Sequence, residues 1–171
     1  RYVNRSNIQN VHILDSSMIA GNNGGLLTGY AYSSTIQDCS VTNSKITAWE
    51  NGSITIGGMI GYTNSSTIKN CFVEGIQVEA IDAKSSADSG IGGFVGRSYY
   101  TYYDSCYAEG QINTNYPEVG GFAGYLESNG QGSLNNVWVK VDIVTATGNA
   151  GGIVGRGNNA IVAGGISVGN I

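Results

Sequence analysis

Charge is scarce in this 171-residue chain: Asp, Glu, Lys and Arg make up 12% of it, about half of the roughly 25% found in an average soluble protein. Disorder driven by charge is therefore excluded. Proline and histidine occur once each and cysteine three times, against 27 glycines. That ratio fits neither collagen nor a Pro/Gly linker, so glycine must serve backbone geometry inside ordered structure. One histidine and three cysteines are too few for a structural zinc set or a disulfide-dense scaffold, and no cofactor is expected. No run approaches the roughly 18 apolar residues that span a bilayer, and no charged-then-apolar leader opens the chain. Membrane insertion is not expected. The eight Lys and Arg are scattered singly under a net charge of −4, leaving no basic face for a phosphate backbone, so nucleic acid is excluded as a partner. The chain opens at Arg1 rather than Met. The expectation is one domain over residues 1–171, cut from a larger surface protein.

What the sequence does contain is a repeat. Ser34-Thr-Ile-Gln-Asp-Cys-Ser-Val41 and Ser66-Thr-Ile-Lys-Asn-Cys-Phe-Val73 are near copies. Anchored on the isoleucine, the series runs Ile8, Ile36, Ile68, Tyr103, Leu134 and Ala163, at spacings of 28, 32, 35, 31 and 29 residues. Three places after the anchors stand Val11, Cys39, Cys71, Cys106, Val137 and Ile166; five places after stand Ile13, Val41, Val73, Ala108, Val139 and Val168. Between these two apolar columns lies a mixed one: His12, Ser40, Phe72, Tyr107, Trp138 and Ser167. A period of two is the mark of a strand with one buried face, and nothing in the chain sustains a helical period.

Four repeats close on a glycine block: Gly57-Gly-Met-Ile-Gly61, Gly92-Gly-Phe-Val-Gly96, Gly120-Gly-Phe-Ala-Gly124 and Gly151-Gly-Ile-Val-Gly155. These glycines are expected to permit tight bends and close strand approach. Tyr30, Tyr62, Arg97, Tyr125 and Arg156 follow the blocks and predict an outward ladder of stacked phenols and guanidiniums. Short strands recurring about every thirty residues without helices predict an all-β fold: a parallel β-helix, a solenoid of about five to six rungs, right-handed by expectation. On it the cysteines fall in one inward column, where a free thiol acts as a small hydrophobe. Neighbouring rungs put Cα atoms about 5 Å apart, so a Cys39–Cys71 bridge is within reach and the thiol state stays open. Asn10, Asp38, Asn70, Ser105 and Asn136 form a polar column at the expected bend.

The glycine blocks and the Ser-Thr-Ile-Lys-Asn-Cys strands, as in Gly57 to Val73 and more loosely Gly151 to Val168, resemble the GLUG-motif repeats of large bacterial surface proteins. Among these are the non-catalytic amino-terminal part of immunoglobulin-A1 protease-type zinc metallopeptidases and various adhesins. The resemblance implies a secreted or cell-wall-attached bacterial location and other domains of the same parent chain as partners. It transfers no peptidase chemistry, because the His-Glu-x-x-His helix of such enzymes has no counterpart: His12 is followed by Ile13, Leu14, Asp15 and Ser16.

Within the chain no catalytic residue is expected. Parallel β-helices include polysaccharide lyases and hydrolases, which need converging carboxylates or a base beside acids. Here Glu74, Glu79, Asp82 and Asp88 gather near Lys84 in a Ser- and Ala-rich excursion that reads as a solvated loop, with a calcium site as the lesser reading. His12 reads as a lone surface histidine. Binding candidates are aromatic: the row Phe72, Tyr107 and Trp138, together with Trp49, Tyr99 and Tyr100. Such a row on a soluble surface is either covered by another segment or is a platform for a host protein or glycan. Strand edges without an obvious polar cap lead to the expectation of further solenoid, or another domain, at one or both ends.

Overall fold

The computed structural model describes residues 2–49, 53–81, 89–130, 133–145 and 148–171. The expected parallel β-solenoid is observed: among the described residues every strand pairing is parallel and the chain winds through about five turns. Among the described residues there is no helix. Three parallel sheets form the walls. The tyrosine sheet stacks Tyr2–Asn4, Thr28–Tyr32, Ile60–Asn64, Val95–Tyr99, Ala123–Glu127 and Val154–Asn158. The broad sheet takes the middle of each turn, for example Thr67–Lys69 with Phe72–Ala80, then Tyr102–Thr114, then Ser133–Thr145. The short sheet stacks Asn23–Gly24, Thr55–Gly57, Gly90–Gly92, Glu118–Gly120 and Asn149–Gly151.

A five-residue beat shapes the broad sheet. Left-handed backbone recurs at Arg5, Asn10 and Asp15, at Ser33, Asp38 and Asn43, and at Ser65, Asn70 and Gly75. Each such residue kinks the strand, and the polar column read at the bend supplies types that tolerate this region best. The next residue is often Ser, Thr or Cys, and its side chain donates back to the carbonyl two places earlier: Ser34 to Tyr32 at 2.8 Å, Thr101 to Tyr99 at 2.9 Å, Cys71 to Lys69 at 3.1 Å. The hydroxyls also accept the amide hydrogen of the matching residue one turn away, as Ser66 does from Ser34 at 3.1 Å and Thr101 from Ser66 at 3.2 Å. Corner amides that leave the strand ladder thus find partners in a buried place, where an unpaired N–H would cost about 1–3 kcal/mol. Cys39, Cys71 and Cys106 are free thiols in this series, each also directed at a carbonyl of the adjoining turn, Ile8, Ile36 or Ile68.

The glycine blocks fold the chain back so sharply that backbone meets backbone. A Cβ on Gly57 would lie 2.5 Å from the Val95 Cα, and one on Gly96 would lie 2.5 Å from the Ile56 amide nitrogen. The residues between the glycines point inward. Phe94 stacks on Phe122 at 4.6 Å, and Tyr103 meets both edge-on. Tyr103 is fully buried, as its anchor place predicts, with its hydroxyl donating to Ser98 at 3.0 Å. Ile36, Ile68, Val41 and Val73 are among the aliphatic residues that fill the rest of the core, each contributing about 1.5–3 kcal/mol on full burial.

The anchors Ile8, Ile36, Ile68, Tyr103 and Leu134 superpose in register. The last does not: Val162, rather than Ala163, pairs with Leu134, and Ile166, rather than Ser167, pairs with Trp138. The corner decides this, because left-handed Gly164 follows Val162 by two residues just as left-handed Asn136 follows Leu134.

Candidate functional site

Two outward faces carry aromatic rows. On the broad sheet His12, Ser40, Phe72, Tyr107, Trp138 and Ile166 form one file. The strands are pinned there by the buried valines and cysteines on either side, so alternation turns the larger residues out. Phe72 and Trp138 are 39% and 43% exposed, and Tyr107 is half-buried between them. Tyr107 and Trp138 stack at 4.7 Å with planes 22° apart. The faces they turn to each other are closed to a ligand; ring edges and the outer faces remain. Beside this row the Lys140 ammonium donates to Glu109 at 2.9 Å, and Glu109 also accepts the Tyr107 hydroxyl.

On the tyrosine sheet the predicted ladder is present and longer than expected, but it is not outward to solvent throughout: Arg97 and Tyr125 are buried. Tyr2, Tyr30, Tyr62, Arg97, Tyr125 and Arg156 are in register. Tyr2 stacks on Tyr30 at 4.8 Å and Tyr30 on Tyr62 at 4.7 Å. Tyr99, two residues beyond Arg97, bridges from Tyr62 at 5.3 Å to Tyr125 at 5.5 Å. The Tyr125 ring lies between two guanidiniums, Arg97 at 4.3 Å and Arg156 at 5.6 Å. Arg156 in turn donates to Glu118 at 2.7 Å, a carboxylate only 3% exposed. Tyr125 and Tyr100 both donate to Glu127, at 2.6 and 3.1 Å. The Tyr125 bond, the largest effect, holds the Glu127 carboxyl below its ordinary value, while burial pushes the Tyr30, Tyr62 and Tyr125 phenols up.

The six predicted binding residues therefore divide. Phe72, Tyr107 and Trp138 share one file on the broad sheet. Tyr99 belongs to the tyrosine sheet, and Tyr100 is the left-handed corner next to it. Trp49 follows the strand Lys45–Ala48, away from both rows, and is 80% exposed. Sequence reasoning missed Glu118 and Glu127. The signal for Glu118 was available: it fills the strand slot that Thr55, Gly90 and Asn149 hold in neighbouring turns.

His12 is not a lone histidine: Ser40, its neighbour in the mixed column and its register partner, has its hydroxyl 2.8 Å from the His12 Nδ1. The Ser40 amide is spent on the Val11 carbonyl, so it is not available to an oxyanion beside that hydroxyl. Of the acidic excursion, Glu79 pairs with Lys45 at 2.8 Å; Asp82, Lys84 and Asp88 lie outside the described residues. Among the described residues no group of three or more His, Cys, Asp or Glu is arranged to hold a metal ion, and no helix is long and apolar enough to cross a membrane.

No family model matches the chain, and no curated protein is significantly similar to it.

Proposed function

We propose that the chain is a non-catalytic docking and spacer module of a secreted or cell-surface bacterial protein, of the kind in which GLUG-type repeats flank a separate working domain. The observation that carries this reading is the in-register row Phe72, Tyr107 and Trp138, held outward on a rigid parallel sheet. Solvent-exposed aromatics in file favour a partner that covers them, because large apolar surface left in water is unfavourable. The glycine block and the Ser/Cys corners support the repeat assignment. The corner Ser, Thr and Cys side chains are consumed in holding turn to turn, and the Glu109–Lys140 pair at the rim offers polar contacts around the aromatic centre, the common arrangement of a binding patch.

Replacing Phe72, Tyr107 and Trp138 together by serine leaves every inward residue in place, so the variant is expected to fold. Loss of binding to a host glycan or protein array on that replacement supports an adhesin-like use of the row. Unchanged binding, or none in the parent, leaves a spacer. Incubation with pectins and glycosaminoglycans tests the remaining reading, a polysaccharide lyase or hydrolase. New reducing ends or unsaturated products would overturn the non-catalytic assignment.

A further inference from the structure

The stack of Tyr2, Tyr30 and Tyr62 has a geometry the docking reading does not use. These rings stand on consecutive strands of a parallel, in-register sheet, so like atoms of neighbouring residues repeat every ~4.8 Å. Tyr30 and Tyr62 are nearly parallel, 7° apart at 4.7 Å; Tyr2 and Tyr30 are 17° apart at 4.8 Å. Their ortho carbons therefore face one another. The ladder is reachable from solvent: Tyr2 is 62% exposed, and Tyr30 and Tyr62 are half-buried.

We propose that Tyr2, Tyr30 and Tyr62 form a site of oxidative modification, at which neighbouring phenols couple ortho carbon to ortho carbon into dityrosine and rivet one turn of the solenoid to the next. Each phenol gives up one electron and one proton. The two phenoxyl radicals join through a new carbon–carbon bond, and the displaced ortho hydrogens move to the oxygens and restore both phenols. Two electrons and two protons are lost in all. Hydrogen peroxide, acting with a haem peroxidase, accepts them and becomes two molecules of water. Holding the partners in contact before oxidation makes the coupling intramolecular, with the rate advantage of a preassembled pair. The Tyr30 and Tyr62 phenols, whose ordinary value of 10.0 already leaves them protonated at neutral pH and which burial pushes further up, lose proton and electron together. Tyr99, stacked on Tyr62, extends the path along which an oxidised ring can be refilled. The Tyr107–Trp138 stack is a mixed pair and yields no dityrosine.

The test treats the full chain, at low concentration, with peroxide and a haem peroxidase, and isolates the protein that still runs as a monomer. Arg5 and Lys45 place Tyr2, Tyr30 and Tyr62 on three separate tryptic peptides, so a link between any two joins peptides and is read by mass spectrometry. The expected product is a monomer lighter by two hydrogens, with Tyr30 joined to Tyr2 or Tyr62 and dityrosine fluorescence. Tyr30→Phe keeps the ring and the stack but removes the shared phenol, and should abolish both links. Persistence of the product at parental yield in Tyr30→Phe overturns the proposal. So do equal yields from the urea-unfolded chain, links spread evenly over Tyr32 and Tyr102, or the absence of any product within the monomer.

Discussion

The hydroxyl of Ser66 accepts the amide hydrogen of Ser34 from the neighbouring turn at 3.1 Å while donating to the carbonyl of Asn64 at 3.0 Å. One small side chain thus satisfies a corner amide and a carbonyl where each strand is kinked. Thr101 does the same for Ser66 one turn on, completing a short file of hydroxyls.

Replacing Ser66 with alanine deletes the acceptor but leaves the Ser34 N–H buried. The cost is that of an unsatisfied donor, about 1–3 kcal/mol. Urea unfolding of Ser66→Ala should show it as a lower midpoint with an unchanged slope. Ser66→Thr, which keeps the hydroxyl as Thr101 does, is expected near the parent, and equal losses in both variants would mean that packing rather than the hydrogen bond is at stake.

Glycine in the closing blocks is fixed by backbone proximity. A methyl group on Gly96 would sit 2.5 Å from the Ile56 nitrogen and 2.7 Å from the Gly61 oxygen. Neither can yield without opening the sheets, so Gly96→Ala should cost roughly 3 kcal/mol or more. Gly157→Ala, two residues beyond the Gly151–Gly155 block and meeting only the Ala160 Cβ at 3.2 Å, should stay within about 1 kcal/mol. Thermal unfolding of the pair measures the contrast; similar losses in both would show that the close approach does not govern.

The solenoid was legible in the sequence because inward positions are chemically narrow. Ile36 and Ile68 pair as the near-identical segments around them require, and Tyr103 fits the same slot because its hydroxyl finds Ser98. The last turn was misread by one residue since Val162 and Ala163 are both apolar, and only the left-handed corner at Gly164 separates the two registers. The five-residue beat was present in Arg5, Asn10 and Asp15 but is hidden by their unlike side chains. What they share is a backbone angle, which composition does not display. Of the outward faces, the files could be read, but not contacts made across them. Tyr99 leaning between Tyr62 and Tyr125 depends on side-chain reach rather than on register, whereas Ser40 meets His12 because the two are register partners.

The cysteine column predicts inert thiols. Burial pushes the Cys106 thiol up to about 12 and the Cys71 thiol well above its ordinary range, and the thiolate is the reactive form. A maleimide should therefore label the folded protein slowly at neutral pH and all three cysteines promptly in denaturant, as followed by mass. Fast labelling of the native chain would contradict the burial. Cys39→Ser places at this corner the residue that Ser34 and Ser44 already supply at the others, and should change stability by no more than about 1 kcal/mol.

Glu127 gives a prediction whose sign depends on pH. Its folded-state carboxyl is held below the ordinary value of 4.5, first by the Tyr125 hydroxyl and further by Asn158 and Tyr100. A depressed carboxylate contributes stability that is fully present above its unfolded value and disappears as pH falls through the folded one. Tyr125→Phe removes the 2.6 Å bond to Glu127 while leaving an aromatic ring between Arg97 and Arg156. In that variant the Glu127 titration, followed by carboxyl carbon chemical shift, should move up toward 4.5. The stability gap between parent and variant should be largest near neutral pH and close in acid, because once Glu127 is protonated in both chains the phenol has no carboxylate left to favour. A gap that stayed constant from neutral pH into acid would place the role of Tyr125 in its ring alone, with the guanidinium sandwich rather than the carboxylate holding that end of the ladder.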